Sequence, residues 1–286
     1  MVDIKEIKSV KLTAFTKMSA SIHGILGLIV ALLILVILII VQATGVVSQL
    51  GQFNVVTGVG IPLIILLPIG AFFGTIAVSF FSVILYNTLV PKLGGVKLEL
   101  EGSEVNSIPV VPFALILASI GAIWAFIVGL VLAAVISPIF SLIGTLPDTA
   151  NLTANFTNVT GFGSMGIIMS VALIIGLPIL VFVFGFIWNA LFAIFYNYLV
   201  TRVAKINLEF TAISETLHEL KHIPVLPTAL AVALVSAILG IISGVLSGNY
   251  GEFISNFIMC FIETALIAIL YNYLAPKIGH IKLNLE

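Results

Sequence analysis

Charge is scarce in this sequence. Only 8% of its residues are Asp, Glu, Lys or Arg, against roughly a quarter in an ordinary soluble domain. With 61% hydrophobic residues and a mean hydropathy of +1.31, too little polar surface exists to cover a globule in water. A soluble domain is thereby excluded, and lipid must be the solvent. Cysteine is nearly absent as well: Cys260 stands alone, which excludes an intramolecular disulfide and a cysteine metal cluster. Arginine occurs once, as Arg202, and the net charge of −1 gives no reason to expect nucleic-acid binding. There is no P-loop, no Gly-x-Ser-x-Gly elbow and no pair of intramembrane carboxylates. No catalytic residue, no metal and no cofactor is therefore expected.

What is present is six apolar stretches, roughly 19–42, 66–90, 112–136, 166–199, 226–247 and 253–275. Each is long enough to cross a bilayer, which takes about 20 residues of helix. The runs are continuous, without period-two alternation, so helices are indicated rather than a membrane barrel. All basic residues fall on one side of this six-span arrangement. Lys5, Lys8, Lys11 and Lys17 precede the first span, and Lys92 and Lys97 follow the second. Arg202, Lys205 and Lys221 lie between the fourth and fifth, and Lys277 and Lys282 follow the sixth. The positive-inside rule then puts both termini in the cytoplasm. The same segments carry Glu99, Glu101, Glu104, Glu215 and Glu219, which weakens any polybasic lipid-binding reading. Asn-x-Ser/Thr sequons occur at Asn151, Asn155 and Asn158, in a loop expected to face outward, where they are candidate glycosylation sites. The lysine bias, the abundance of Ile and the outward sequons suggest a prokaryotic, archaeal cell membrane.

The chain repeats itself. YNTLVPKLGGVKLELE at 86–101 returns as YNYLVTRVAKINLEFT at 196–211 and as YNYLAPKIGHIKLNLE at 271–286. A lead-in precedes the odd-numbered spans: VNSIPVVPFAL at 105–115 matches LKHIPVLPTAL at 220–230, and IKSVKLTAF at 7–15 matches more loosely. The unit is lead-in, helix, outer loop, helix, exit, which divides one membrane domain into repeats 1–101, 102–211 and 212–286. The exit pairs Tyr86-Asn87, Tyr196-Asn197 and Tyr271-Asn272 suit a membrane boundary, with Tyr at headgroup level and Asn satisfying carbonyls at the helix end. Pro91 and Pro276 cannot continue a helix, and Gly94 and Gly279 suit its end. The alternating runs that follow predict short cytoplasmic strands after the second, fourth and sixth helices, pairing between repeats, or else amphipathic segments flat on the membrane. Fold class is thus all-α and polytopic: six transmembrane helices as three two-helix repeats with pseudo-threefold symmetry, plus those strands.

Small residues recur at every fourth position on the odd helices. They are Gly27 and Ala31 in span one, Gly121, Ala125, Gly129 and Ala133 in span three, and Ser236, Gly240 and Gly244 in span five. Such stripes let helix backbones approach closely. Pro68 and Pro178 each precede their Tyr by eighteen residues, and the apolar, Gly-rich segments 55–67 and 162–177 upstream suggest outer-leaflet or re-entrant helices. The lead-in V/I-x-S-I/V, two spans, Tyr-Asn, and six residues later Gly94-Gly95 before an alternating run resemble a small two-helix transmembrane domain of unknown function. That domain is found in actinobacterial proteins and in archaeal and bacterial hypothetical proteins. The resemblance covers most of the chain as three tandem copies and implies a fold without a chemistry. The later copies carry Ala204-Lys205 and Gly279-His280 at the Gly-Gly position.

Few residues offer chemistry. Glu263 is the one acidic residue well inside a span, where a charge is costly and normally faces a partner or a water-filled path. Ser79, Asn189 and Thr264 each stand seven residues before their Tyr, lining a polar axis or bonding helices together. His23, on the small-residue stripe, is a candidate proton relay or an interfacial histidine. His218 and His222 are spaced for a metal on one helix face, or are simply solvated. Mitochondrial carriers share the three two-helix repeats, but their Pro-x-Asp/Glu-x-x-Lys/Arg signature is absent. The expected function is a non-catalytic membrane scaffold or accessory subunit, partnered by lipid and by another membrane protein or a second copy. Alternatives are a channel or transporter for a small solute, ion or lipid through Glu263, and, behind both, an intramembrane enzyme.

Overall fold

The computed structural model describes residues 3–45, 54–143 and 162–286. It has six helices long and apolar enough to cross a membrane. Strand β1 (Asp3–Val10) leads into α1 (Leu12–Ala43), and α2 (Ile61–Leu93) returns to β2 (Val96–Glu101). Strand β3 (Glu104–Ser107) leads into α3 (Val110–Ile143); the return runs through α4 (Phe162–Val171) and α5 (Leu177–Tyr198). Strands β4 (Glu209–Ala212) and β5 (Leu217–His222) precede the last hairpin, α6 (Val225–Ser247) and α7 (Glu252–Ile278), and β6 (Lys282–Leu285) follows it. The chain divides into two compact units, residues 1–109 with 194–286, and residues 110–193.

The expectation of an all-α chain with strands only after the even helices is corrected. Strands also precede the odd helices, and all six form one antiparallel sheet in the order β3-β2-β1-β6-β5-β4. The two edges of that sheet meet. Glu104 in β3 bridges Asn207, just ahead of β4. The Val105 N–H donates to the Ile206 carbonyl at 2.9 Å, and the Leu208 N–H to that of Ser103 at 2.7 Å. Each lead-in strand therefore has an exit segment on both sides, and the pairings run in a closed circuit. Side chains alternate across it as a half-buried strand requires: Val96, Leu98 and Leu100 are buried, while Lys97, Glu99 and Glu101 are more open. Val105, Leu220, Leu283 and Leu285 are also buried. Met18, Ile22, Tyr271, Leu274 and Leu220 form a core cluster where α1, α7 and β5 meet.

The segments upstream of α2 and α5 are helical and continuous with them. A single π-helical turn stands before each, at Val56–Gly60 and Ala172–Gly176. Pro62 and Pro178 lie just inside the helices that follow. A proline removes one N–H from the ladder and its ring crowds the preceding turn; a wider i→i+5 turn absorbs that break. The stretch Val56–Leu93 is 38 residues, or about 57 Å of helix, so one end extends beyond the hydrocarbon layer of about 30 Å.

At their far ends α2 and α7 run through Pro91 and Pro276 instead of stopping before them. Gly94 (φ 84°, ψ 144°) and Gly279 (φ 100°, ψ 146°) then turn the chain at positive φ, which glycine adopts without steric cost. The second exit segment, with Ala204 at that position, differs: α5 stops at Tyr198 and a 3-10 turn covers Val200–Arg202.

The small-residue stripes sit between the two helices of each hairpin. A Cβ on Gly27 would lie 3.0 Å from the Leu67 carbonyl oxygen and from Ala71 Cβ. One on Gly240 would lie 2.9 Å from Phe253 Cα, and one on Gly244 2.7 Å from the Asn249 oxygen. On Gly129 it would lie 2.1 Å from the carbonyl oxygen of Leu173, inside the π turn. Gly121 has ordinary room, with Val181 at 3.5 Å. Ala31 and Ala125 are buried and Ser236 is half-buried.

Candidate functional site

The tyrosine–asparagine pairs bind backbone in the lead-in segments. Asn87 accepts from the Val10 N–H at 2.8 Å and donates to the Val10 carbonyl at 2.9 Å. Asn197 does the same to Ile108, at 2.9 and 2.8 Å, and Asn272 to Ile223, also at 2.9 and 2.8 Å. One carboxamide offers both an acceptor and a donor, which matches a residue lying between a strand and a helix. Pro109 and Pro224 follow two of these residues, holding them extended. Their peptide groups have no helical partner, so the asparagine supplies it.

Each tyrosine reaches the same segment three residues earlier. Tyr86 Oη donates to the Ile7 carbonyl at 2.8 Å, Tyr196 to Val105 at 2.5 Å, and Tyr271 to Leu220. The last two hydroxyls also accept from the N–H groups of Ile206 (2.9 Å) and Ile281 (3.3 Å) in the exit segments. Tyr196 and Tyr271 are almost wholly buried. The pairs thus join span, lead-in strand and exit segment, in place of the headgroup anchoring and helix capping expected of them.

A third position recurs: Glu6, Glu104 and Glu219 each precede the clamped residue by four. Facing them, nine residues after each tyrosine, stand Gly95, Lys205 and His280. The Gly95 N–H donates to Glu6 at 2.8 Å, Lys205 Nζ lies 2.8 Å from Glu104, and His280 Nδ1 is 3.9 Å from Glu219. A Cβ on Gly95 would sit 2.6 Å from the Glu6 carboxylate. The sequence differences at the Gly-Gly position are therefore three ways of facing one glutamate.

These charges make the strand circuit acid-sensitive. Burial pushes the Glu6 carboxyl up, but the Gly95 N–H, Lys8 and Lys97 outweigh it and hold the group below its ordinary value. Glu101 is lowered by the Asn106 side chain and then by Lys205; Lys205 is raised by Glu104. A lowered carboxyl contributes stability above its unfolded pKa and loses it as pH falls through the folded one. A raised lysine contributes below its unfolded pKa and loses it as pH rises through the folded value. Thermal unfolding of the purified chain should therefore be flat from about pH 5 to pH 9 and drop below about pH 4.5. Glu6→Gln should flatten part of the acid limb; an unchanged limb would remove Glu6 from it.

The in-membrane candidates are scattered. Ser79 is buried, and its Oγ bonds the Thr75 carbonyl of its own helix at 2.5 Å. Asn189 donates to the Gly185 carbonyl of its own helix at 2.7 Å, and Thr264 is half-buried in α7. His23 is exposed, with Nδ1 2.8 Å from the Ser19 oxygen. His23 and Ser79 do share a groove of about 490 Å³ between α1 and α2, with Ser19, Thr75, Gly70 and Gly74 on its walls. Glu263 is not part of it. That side chain is exposed on α7 and, among the described residues, makes no hydrogen bond or ion pair.

His218 and His222 lie on strand β5, not on a helix. His218 is buried, with Nε2 3.5 Å from Lys5 Nζ; His222 is 3.6 Å from Glu209. Among the described residues no group of three or more His, Cys, Asp or Glu is placed to hold a metal. Asn151, Asn155 and Asn158 lie outside the described residues.

The sequence signalled the Tyr-Asn pairs but not their partners, which lie 77 to 91 residues away for Asn87, Tyr86, Asn197 and Tyr196. The recurrent Glu6, Glu104 and Glu219 were missed, although alignment of the lead-ins on Val10, Ile108 and Ile223 would have found them. Comparison with family models, with curated proteins and with solved structures gives no match.

Proposed function

We propose that this chain is a non-catalytic membrane scaffold or accessory subunit. In this reading it is three copies of a two-helix unit, related by pseudo-threefold repetition and tied together by the strand circuit. The recurring Tyr, Asn and Glu contacts support the repetition. The basic residues flanking the strands support a cytoplasmic sheet in a cell membrane, and the archaeal assignment rests on composition alone.

The observation that carries the scaffold reading is Glu263. A carboxyl in the middle of a span normally faces protein or a water-filled path. This one is exposed and without a partner among the described residues, so a hydrogen-bonding or basic group on another membrane protein is the natural occupant. The satisfaction of Ser79 and Asn189 within their own helices argues in the same direction. A channel or transporter is the second reading, favoured by the α1–α2 groove that holds His23.

Native mass spectrometry of chain gently extracted from its own membrane separates the two. A stoichiometric protein partner is expected, and Glu263→Gln should weaken its retention about thirtyfold or more, since losing one side of a buried charged contact costs about 2–5 kcal/mol. A chain that runs alone, and whose Glu263→Gln variant loses ion flux in liposomes, would overturn the scaffold reading.

A further inference from the structure

The second exit element differs in backbone from the other two and holds a cavity. Because α5 ends at Tyr198 and a 3-10 turn replaces the proline-containing last turn of α2 and α7, a space of about 270 Å³ opens beside the strand circuit. Thr201, Arg202, Lys205, Asn207, Glu104 and Pro227 line it. Two cations meet here, and they differ. Lys205 is engaged, 2.8 Å from Glu104 and 4.0 Å from Glu101. Arg202, the chain's single arginine, is exposed and has no ion pair among the described residues. Asn207 also lines the space, and its Oδ1 is buried without a hydrogen-bond partner among the described residues.

The setting of the cavity identifies the kind of ligand. Val203, which lines it, is 72% exposed, and Tyr198 and Leu226, on the same two segments of chain, are each 66% exposed. Exposed aromatic and apolar side chains on the segments that form a basic pocket, at the end of a membrane span, match a headgroup with acyl chains attached. Lys205 is held by Glu104 and Glu101, so Arg202 is the cation left to take one negative charge. A planar guanidinium binds a phosphodiester through two parallel N–H bonds. The geometry points to a phospholipid site: Arg202 takes the phosphate of a monoanionic headgroup from the leaflet on the sheet side, and Tyr198, Val203 and Leu226 contact its chains. A zwitterionic lipid fits less well, because its amine competes with Lys205 for Glu104.

The test uses the full chain in micelles doped equally with phosphatidylglycerol and phosphatidylcholine, with retained lipid counted by native mass spectrometry. Wild type should keep one phosphatidylglycerol in about tenfold preference. Arg202→Gln should abolish the preference, Arg202→Lys should keep part of it, and Lys92→Gln, at the equivalent place in the first exit, should leave it intact. Arg202 is exposed and unpaired, so an unchanged melting temperature for Arg202→Gln is expected and checks its fold. Equal retention by wild type and Arg202→Gln would overturn the site. Displacement of the lipid by inorganic phosphate would overturn the lipid assignment in favour of a soluble anion, and equal retention of phosphatidylcholine would overturn the anionic one.

Discussion

Asn197→Leu is expected to lower the unfolding free energy by about 2–5 kcal/mol, and Asn87→Leu and Asn272→Leu by similar amounts. Leucine keeps the same branched heavy-atom skeleton and leaves no cavity, so the loss is not one of lost packing. Each substitution removes two bonds at once, leaving the N–H and C=O of Ile108, Val10 or Ile223 without the carboxamide that served both. A buried backbone group left unpaired costs about 1–3 kcal/mol, and Pro109 and Pro224 prevent their neighbours from relaxing into helix. Thermal unfolding in a fixed detergent would show a fall of several degrees. A drop below 1 kcal/mol at all three positions would mean that water serves these groups equally well. The clamps would then be incidental. Tyr196→Phe should cost a comparable amount, because one hydroxyl there serves both the Val105 carbonyl and the Ile206 N–H.

Gly129→Ala carries the other large effect. The added methyl would lie 2.1 Å from the Leu173 carbonyl oxygen, far inside contact, and the obstacle is backbone held in a π turn. Overpacking of this kind costs about 1–3 kcal/mol where side chains can shift, so about 3 kcal/mol or more is expected here. Gly74→Ala gives the opposite sign. Nothing lies within 4 Å of a Cβ at Gly74, and alanine is the better helix former by about 1 kcal/mol. The pair separates glycine used for contact from glycine that merely occurs in a helix. If both variants melt alike, close approach of α3 to the π turn is wrong.

Much of the fold was legible because lipid imposes it. Six runs of the right length admit one secondary structure, and GGVKLELE and GHIKLNLE alternate as strands do. The lead-in strands were less legible. DIKEIKSV carries no clean two-residue alternation: its residues are graded between exposed and half-buried, and its register against β6 shifts between Ile7 and Ser9. The same blind spot hid the clamps: Tyr86 and Asn87 look like interface residues when read locally, and only the sheet brings Ile7 and Val10 to them. Among the candidate residues, Ser79 and Asn189 read from spacing alone as a polar axis or as bonds between helices. Spacing along a helix cannot say whether a hydroxyl or an amide turns back onto its own carbonyls, as both do. Glu263 was legible as an anomaly and remains one.

The closed circuit of strands also sets a timetable. Strand β1 is made well ahead of its second neighbour, β6, which stands at the far end of six membrane-length helices, with Glu6 and Glu286 exchanging backbone bonds at 2.6 and 3.1 Å. At roughly 5–20 residues per second of synthesis, one edge of β1 waits on the order of tens of seconds after its own insertion. An unpaired strand edge recruits whatever strand is near, including β1 or β6 of a neighbouring nascent chain. Crowded translation should therefore yield intertwined pairs in which each copy's β6 seals the other's circuit, and slower initiation should favour self-sealed single chains.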